Sequence, residues 1–285
     1  GWDVSLYDPD TDAPRKLDNV IENARDSFPK LYPNELPEEG KLTLANSLSS
    51  AVSEAVWIQE SVPERLSIKF KTLSAIQESC DKSAIICSST SGFTPSELHD
   101  GLSKPEQVLV AHPYNPVYLL PIVELVPSRL VSDDLILKAE KLLESISMKP
   151  VTIRSEVPAH VGDRLMEALW REALWLIKDG IASTEQIDEI ITHGFGLRWA
   201  QMGLFETFRV AGGESGMEHF LGQFGPCLSA PWSKLTDVPA LDEELVSKIV
   251  KQSEEQSGHL PIRELEKMRD KNLVRFLLAL KDADW

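Results

Sequence analysis

The chain has few cysteines and no long hydrophobic run, and both shortages restrict what it can be. Three cysteines occur among 285 residues, Cys80, Cys87 and Cys227, and no pair has CxxC spacing. This usage excludes a disulfide framework and fits a reducing compartment. No stretch of eighteen apolar residues is present, so no membrane span is expected. The opening GWDVSLYDPD has neither the basic nor the apolar part of a secretory signal, and we therefore expect a cytoplasmic protein.

Basic charge is also scarce. The chain carries 29 Lys and Arg against 45 Asp and Glu, a formal net charge of −16. An acidic surface repels nucleic acid phosphates and anionic membranes, so neither is an expected partner, and it mildly favours a cationic small molecule. The GxSxG, P-loop and HExxH motifs are absent from the sequence, and no His/Cys cluster has zinc spacing. These absences argue against a hydrolase, a kinase and a metal site.

The hydrophobic pattern changes near the middle of the chain. Residues 1–150 alternate between strand-like runs, such as SAIICSST and EQVLVAHPYNP, and helical segments, such as PERLSIKFKTLSAIQESC. This alternation predicts an α/β domain with a parallel sheet and crossover helices. Residues 151–285 are predicted to form an all-α domain. Its helical signals are apolar residues at 165, 169, 173 and 176, a C-cap at Gly180, and a capping box that Ser183 or Thr184 opens.

One histidine and one glutamate are placed unusually. In VAHPYNPVYLLPIVELVP, residues 110–127, His112 follows a short apolar strand and Glu124 lies between apolar neighbours. Such a glutamate is expected to be buried, and buried glutamates are rare unless paired. If the chain turns back into a neighbouring strand, Glu124 can orient the imidazole of His112, which then acts as a general base. A structural ion pair without catalysis is the alternative interpretation.

Three other patterns are compatible with ligand binding. SSTSG, residues 88–92, follows a buried strand, where open α/β sheets bind ligands, although an ordinary serine-rich turn has the same composition. Asp8 closes the strand WDVSLYD, where dinucleotide-binding folds place an acid for the adenosine ribose. Aromatic residues at 195, 199, 205 and 208 indicate either a helix core or a wall for a quaternary ammonium.

The motifs SSTSG, AHPYNP, IVELV and PAHVGDRLMEALWREALWLIKDGIAS occur in an order and spacing that resembles the 3-hydroxyacyl-CoA dehydrogenase family. The runs GFGLRWAQMGLFETFRVAGGESGMEHF and QFGPCLSAPW are similar to the branch of that family that acts on L-carnitine. The resemblance covers nearly the whole chain. It implies an NAD-binding Rossmann-type domain, a helical C-terminal domain that forms a homodimer, and oxidation of a 3-hydroxy group to a ketone.

The resemblance also implies roles for individual residues. His112 would be the general base, Glu124 its partner, and Ser91 the group that hydrogen-bonds the substrate hydroxyl. NAD would contact four positions: Asp8, Glu60, Arg65 and Asn115. L-Carnitine would contact seven: Tyr114, Ala159, Val161, Gly162, Asp163, Gly194 and Phe224. Arg198 is our candidate for holding the substrate carboxylate.

Two departures from the family bear on these expectations. The acyl-CoA members carry an asparagine where this chain has Asp163, and an aspartate there suits either a trimethylammonium group or an ion pair with Arg164 or Arg171. The first strand and the GxGxxG turn with which the family begins are missing, so we expect an N-terminally truncated copy. The open alternatives are a related 3-hydroxyacyl-CoA or L-gulonate 3-dehydrogenase, and a truncated copy without activity.

Overall fold

The computed structural model describes residues 1–32, 36–212, 216–224, 233, 242–257 and 259–281, so Cys227 lies outside the described residues. Two compact units are present, Gly1–Arg164 and Leu165–Trp285. The boundary predicted at residue 150 falls inside the first unit. The loop after the last strand and the first residues of the next helix, up to Arg164, still belong to this unit. The predicted order of an α/β domain and then a helical domain is confirmed.

The first unit contains two sheets. Strands β1 (Val4–Leu6) and β2 (Leu42–Leu44) form a parallel pair. Five further strands pair in chain order, and they are β3 (Trp57–Glu60), β4 (Ile85–Ser88), β5 (Val108–Pro113), β6 (Ile122–Val126) and β7 (Lys149–Thr152). All neighbours in this second sheet run parallel except β5 and β6, which are antiparallel. The predicted parallel sheet is therefore confirmed as a mainly parallel one, and its antiparallel junction arises because the eight residues 114–121 are too few for a crossover.

Lying wholly within the described part of the first unit are a short 3-10 helix, Pro105–Gln107, and five α-helices: α1 (Ala13–Leu31), α2 (Leu48–Val52), α3 (Leu66–Ser79), α4 (Pro95–His99) and α5 (Asp133–Ser145). Local sequence accounts for two of their starts. Thr94 opens α4 with a capping box that Glu97 completes, and the Ser132 side chain accepts a hydrogen bond from the Leu135 N–H at the start of α5. Helices α2, α3 and α4 pack on one face of the five-stranded sheet and α5 packs on the other, as the alternating pattern predicts.

Two apolar clusters lie on opposite faces of the five-stranded sheet. Ile86, Val108 and Val110 pack with residues of α3, while Ile85, Cys87, Leu109 and Ala111 pack with residues of α5. Strands β4 and β5 are buried on both faces, which explains why their sequences are continuous apolar runs rather than alternating ones. Each fully buried aliphatic side chain contributes about 1.5–3 kcal/mol, so the strands form a firm support for residues at their carboxyl ends.

The second unit is helical in all its described elements. Helix α6 (Gly162–Lys178) begins in the first unit, and α7 (Thr184–Ile190), a π turn (Ile191–Phe195), α8 (Gly196–Ala211), α9 (Gly216–Phe224), α10 (Glu243–Ser257) and α11 (Ile262–Lys281) follow. The expected C-cap is confirmed, since Gly180 follows α6 with a φ of +69°. The capping box is confirmed with Ser183 and Gln186 as its members.

The predicted apolar stripe of α6 is only partly buried. Of its members, Ala173 and Leu176 are half-buried, whereas Leu165 and Leu169 lie on an exposed face together with Trp170. The buried residues of α6 are Leu174 and Ile177, each one position further along the chain than a predicted member. Within the described ranges, none of the helices combines the length and apolar character that crossing a membrane requires.

Candidate active site

The antiparallel pairing of β5 and β6 places His112 directly opposite Glu124. The Nδ1 atom of His112 lies 3.1 Å from Oε2 of Glu124, and the two side chains are 7% and 6% exposed. The expected strand reversal is therefore confirmed, and it explains how residues twelve apart in sequence form one pair. His112 lies near the carboxyl end of β5, the edge where open α/β sheets bind ligands, and Glu124 lies beside it on β6.

Four donors hold the carboxylate of Glu124. Oε2 accepts hydrogen bonds from His112 and from the Tyr114 hydroxyl at 3.0 Å, and Oε1 accepts from the backbone N–H groups of Val161 at 3.0 Å and Gly162 at 3.1 Å. Burial, the largest single influence, acts to raise the pKa of Glu124, but these hydrogen bonds together lower it below its usual value. The group is therefore a carboxylate at neutral pH.

The charge on Glu124 determines which nitrogen of His112 carries the proton. A carboxylate can only accept hydrogen bonds, so Nδ1 is the protonated nitrogen and Nε2 keeps a free lone pair. Burial, followed by the hydrogen bond to Glu124, raises the pKa of Tyr114, so its hydroxyl stays protonated and donates. The pair thus presents Nε2 as a proton acceptor.

Two polar side chains lie beside Nε2 of His112. The Oγ of Ser91 is 3.2 Å from Nε2, and Oδ2 of Asp163 is 3.7 Å from the same atom. Ser91 follows β4 and is exposed, and Asp163, in the first turn of α6, is 25% exposed. The predicted residues Ser91, His112, Glu124, Tyr114 and Asp163 are therefore brought together at one solvent-accessible point.

The loop before α6 is shaped to reach Glu124. Ala159 and His160 have positive φ angles of 61° and 51°, and the next two amides, at the N-terminus of α6, point at the carboxylate. A Cβ on Gly162 would lie 2.6 Å from Cζ of Tyr114 and would overlap its hydroxyl, so only glycine fits. Sequence reasoning expected Val161 and Gly162 to contact substrate, whereas their backbone N–H groups bind Glu124.

The four expected NAD contacts differ in their surroundings. Asp8, Arg65 and Asn115 are exposed, as a ligand contact requires. Glu60 is 2% exposed, and its carboxylate accepts hydrogen bonds from Lys69 Nζ at 3.1 Å and from the Ser88 hydroxyl at 2.6 Å. The cofactor role of Glu60 stays a prediction, because its carboxylate is already engaged inside the fold.

Three expected substrate contacts belong to the second unit. Gly194 lies in the π turn with φ −111° and ψ −116°, Phe224 ends α9 with its ring 4.9 Å from that of Phe220, and Arg198 is exposed on α8. Their roles stay predictions. Of the four aromatic positions, Phe195 packs on Trp199, Phe208 stacks on Phe220, and Phe205 is 71% exposed.

Three residues near the site had no role in the sequence-based interpretation. His160 is fully buried, its Nε2 lies 2.9 Å from the Thr90 carbonyl oxygen, and its ring centroid lies 5.3 Å from that of His112. Glu64 and Lys69 form an ion pair of 3.1 Å next to Glu60. The one signal in the sequence was Lys69 on the apolar face of α3, since buried lysines are rare unless paired.

Comparison with known sequences identifies the class of protein. Residues 1–157 match the NAD binding domain of 3-hydroxyacyl-CoA dehydrogenase, and residues 160–251 match the C-terminal domain of the same enzymes. These two domains in this order are those of NAD-dependent dehydrogenases that act on CH–OH groups. The chain belongs to the 3-hydroxyacyl-CoA dehydrogenase family, which confirms the predicted family and its NAD-binding domain.

Individual relatives are similar over the whole chain. An L-carnitine dehydrogenase/betainyl-CoA thioesterase of Ruegeria pomeroyi is 57% identical over 100% of this chain and 58% of its own length. The chain therefore spans little more than half of that relative. An L-carnitine dehydrogenase of Oceanobacillus iheyensis is 45% identical over 99% of this chain and 92% of its own length.

Among solved structures, one similar fold is that of 5-formyl-3-hydroxy-2-methylpyridine 4-carboxylic acid 5-dehydrogenase, an NAD+ dependent dismutase. The TM-score is 0.85 with 26% sequence identity, covering 99% of this chain and 91% of the other.

Proposed function

We propose that this protein oxidises the 3-hydroxyl group of L-carnitine to the ketone of 3-dehydrocarnitine, with NAD as the oxidant. The observation that carries the proposal is the position of His112 Nε2, which faces both the Ser91 hydroxyl at 3.2 Å and the Asp163 carboxylate at 3.7 Å. A proton acceptor, an orienting hydroxyl and a negative charge suit a substrate that carries a hydroxyl next to a cation. The relative at 45% identity carries the name L-carnitine dehydrogenase, and the one at 57% carries the name L-carnitine dehydrogenase/betainyl-CoA thioesterase.

In the proposed reaction, Ser91 orients the substrate hydroxyl and His112 Nε2 takes its proton. Glu124 stabilises the imidazolium that forms, since it faces Nδ1 at 3.1 Å and stays ionised. Bound NAD would supply the hydride acceptor: the hydroxyl-bearing carbon would lose a hydride and the hydroxyl a proton, so that the alcohol becomes a ketone.

The residues that would hold NAD lie at the surface. Asp8 follows β1 and is exposed; its Oδ1 accepts a hydrogen bond from the Asp10 N–H at 2.8 Å, and its carboxylate would also meet the ribose hydroxyls. Arg65 and Asn115 are exposed as well. Hydroxyls of Ser61 and Ser89, 2.7 Å apart, follow β3 and β4 at the edge where His112 lies. This donor-rich edge fits a dinucleotide, which binds beyond the carboxyl ends of the strands.

The chemistry of L-carnitine explains why Asp163 suits it. Its trimethylammonium group is on the carbon next to the hydroxyl-bearing carbon, so a carboxylate 3.7 Å from the nitrogen that takes the hydroxyl proton is also near the cation. The Tyr114 ring lies 5.2 Å from the His112 ring and offers an aromatic face to the same cation, a contact that contributes about 0.5–2 kcal/mol. Phe224 is proposed as a second aromatic contact and Arg198 as the partner of the substrate carboxylate.

We also propose that the protein is a cytoplasmic homodimer. Leu165, Met166, Leu169 and Trp170 form an exposed apolar face on α6, between 43% and 61% exposed, which a second copy could bury. Cys80 and Cys87 are free thiols, in keeping with a reducing compartment. Light scattering should show a dimer for the natural protein and a monomer for Trp170→Asp; a wild-type monomer would contradict the dimer.

The test of the function is a comparison of substrates. The complete natural chain is supplied with NAD and with L-carnitine, 3-hydroxybutyryl-CoA or L-gulonate in turn, and NADH formation is followed by its absorbance. We expect kcat/KM to be at least about tenfold higher for L-carnitine than for the other two, since neither of them carries a cation. Oxidation of either alternative in preference to L-carnitine, or no oxidation of all three by the folded protein, would contradict the proposal.

A further inference from the structure

The turn that carries Ser91, residues 90–92 (the Ser91 turn), is held by a carboxylate from another part of the chain. Oε1 of Glu64 accepts hydrogen bonds from the Thr90 hydroxyl and from the Gly92 N–H at 3.1 Å. These two donors belong to the residues on either side of Ser91. One oxygen atom therefore fixes both flanks of the serine and leaves the Ser91 hydroxyl directed at His112, 3.2 Å from Nε2.

Glu64 is itself fixed from the interior. Its second oxygen, Oε2, lies 3.1 Å from Nζ of Lys69, which is 1% exposed and also lies 3.1 Å from Oε1 of Glu60. Burial acts most strongly to raise the pKa of Glu64, but the hydrogen bonds from Thr90, Lys69 and the Gly92 N–H bring it below its usual value. Glu64 is thus a charged acceptor supported by a lysine that has no freedom to move away.

The opposite side of the Ser91 turn is bound by the loop before α6. Nε2 of His160 lies 2.9 Å from the Thr90 carbonyl oxygen, and the Ala159 N–H donates to the Gly92 carbonyl oxygen at 3.0 Å. Hydrogen bonds on both sides therefore hold Thr90 and Gly92, while Ser91 is exposed. An exposed serine in a turn has several rotamers and backbone positions unless its neighbours are fixed, so the placement of Ser91 depends on these contacts.

We propose that Glu64 is a positioning residue of the dehydrogenase reaction, which keeps Ser91 Oγ at hydrogen-bonding distance from His112 Nε2 and so aligns the substrate hydroxyl with its proton acceptor. The proposal rests on the proposed function only in the role of Ser91, which is the same for any 3-hydroxy substrate. Glu64 does not need to touch the substrate. Its effect on the rate passes through Ser91.

A double-mutant cycle tests this dependence. Glu64→Ala, Ser91→Ala and the double variant are made in the complete natural chain and assayed with L-carnitine and NAD. If L-carnitine is not oxidised by the wild type, the same cycle uses whichever 3-hydroxy substrate is oxidised, so failure of the substrate assignment is visible separately. We expect Glu64→Ala alone to lower kcat about tenfold or more, since misplacement by about 1 Å can cost a hundredfold. In the Ser91→Ala background it should lower kcat less than about twofold.

The matched control is Glu97→Ala. Glu97 makes the same kinds of contact, accepting from the Thr94 hydroxyl and the Thr94 N–H at 2.8 Å, but it caps α4 and does not flank Ser91. We expect Glu97→Ala to leave kcat unchanged within about twofold. Glu64→Gln, whose amide oxygen can still accept from Thr90 and Gly92, should recover most of the activity that Glu64→Ala loses.

Two results would overturn the proposal. One is full activity of Glu64→Ala; the other is an equal loss in the Ser91→Ala background, which would show a general weakening of the fold instead of positioning of Ser91. If Glu64→Ala does not fold, Thr90→Val removes the donor hydroxyl while keeping the side-chain shape. It should then show the same loss of kcat and the same dependence on Ser91, and an additive loss would again overturn the proposal.

Discussion

Glu124→Gln tests the central pair without changing the shape of the site. The amide oxygen can still accept from the N–H groups of Val161 and Gly162, which now donate to Oε1 at 3.0 and 3.1 Å. The amide NH₂ then faces Nδ1 of His112, where Oε2 lies at 3.1 Å. Because an NH₂ group only donates, the imidazole must carry its proton on Nε2, and Nε2 can no longer accept the substrate proton.

We expect this change to lower kcat by about 10²–10⁴-fold, which is about 3–5.5 kcal/mol of transition-state stabilisation. The KM for the substrate should change little, because Ser91 and Asp163 are untouched. The assay is NADH formation at saturating substrate. Glu140→Gln is the control. Glu140 also accepts a partly buried hydrogen bond, from the Thr152 hydroxyl at 2.5 Å, but it lies on α5 away from the site. A kcat for Glu124→Gln within about threefold of wild type would refute the tautomer argument.

The same substitution should also change stability in acid. The pKa of Glu124 is lowered in the folded protein from its ordinary value of 4.5, so its ionised form stabilises the folded state at higher pH. That contribution is lost as the pH falls through the folded-state pKa, below 4.5. The melting temperature of the wild type should therefore fall steeply as the pH drops below this value. The melting temperature of Glu124→Gln should fall less steeply over the same range. The same dependence of melting temperature on pH in the wild type and in Glu124→Gln would contradict the lowered pKa of Glu124.

Three further substitutions have expected outcomes. Gly162→Ala places a Cβ 2.6 Å from Tyr114 Cζ, so kcat should fall about tenfold or more, and adding Tyr114→Ala should restore part of it; no loss in the single variant would contradict the fit. Asp163→Asn should raise the KM for L-carnitine about tenfold, because one charged contact is lost. It should raise the KM for a 3-hydroxy substrate without a cationic group much less. An equal rise for both substrates would contradict the placement of the cation beside Asp163. Lys69→Met leaves Glu60 charged, buried and without its lysine, which should lower the free energy of unfolding by about 3–5 kcal/mol, measured with denaturant. The control Lys30→Met breaks only an exposed ion pair and should change this free energy little. Equal unfolding midpoints for the two variants would contradict the importance of the buried pair.

The sequence was informative where one interaction dominates local structure. The apolar runs of β4 and β5 predict buried strands, because only a strand covered on both faces needs continuous apolar residues. The position of Glu124 among apolar neighbours likewise required a partner, and the structure supplies His112. Both features follow from the cost of burying a charge or leaving apolar surface in water.

Other features depended on contacts that no local pattern encodes. The sequence left open whether the chain turns back after His112, and only the observed ends of β5 and β6 show that their connection is too short for a parallel crossover. The family resemblance implies a cofactor contact for Glu60, and no local pattern shows that its carboxylate pairs in the interior with Lys69, nine residues away on α3. The exposed face of α6 has the spacing of a core stripe, and periodicity alone cannot distinguish a core from an interface.

His112 is the group proposed to take the substrate proton, and every other role at the site follows from that one. The direct measurement is single-turnover NADH formation by the complete natural chain and by His112→Ala, with saturating L-carnitine and NAD and with unfolding midpoints compared in parallel. We expect the rate of His112→Ala to be lower by about a hundredfold or more with the fold retained, the loss typical of a removed general base. A rate within about threefold of the wild type would show that another group takes the proton and would contradict the assignment.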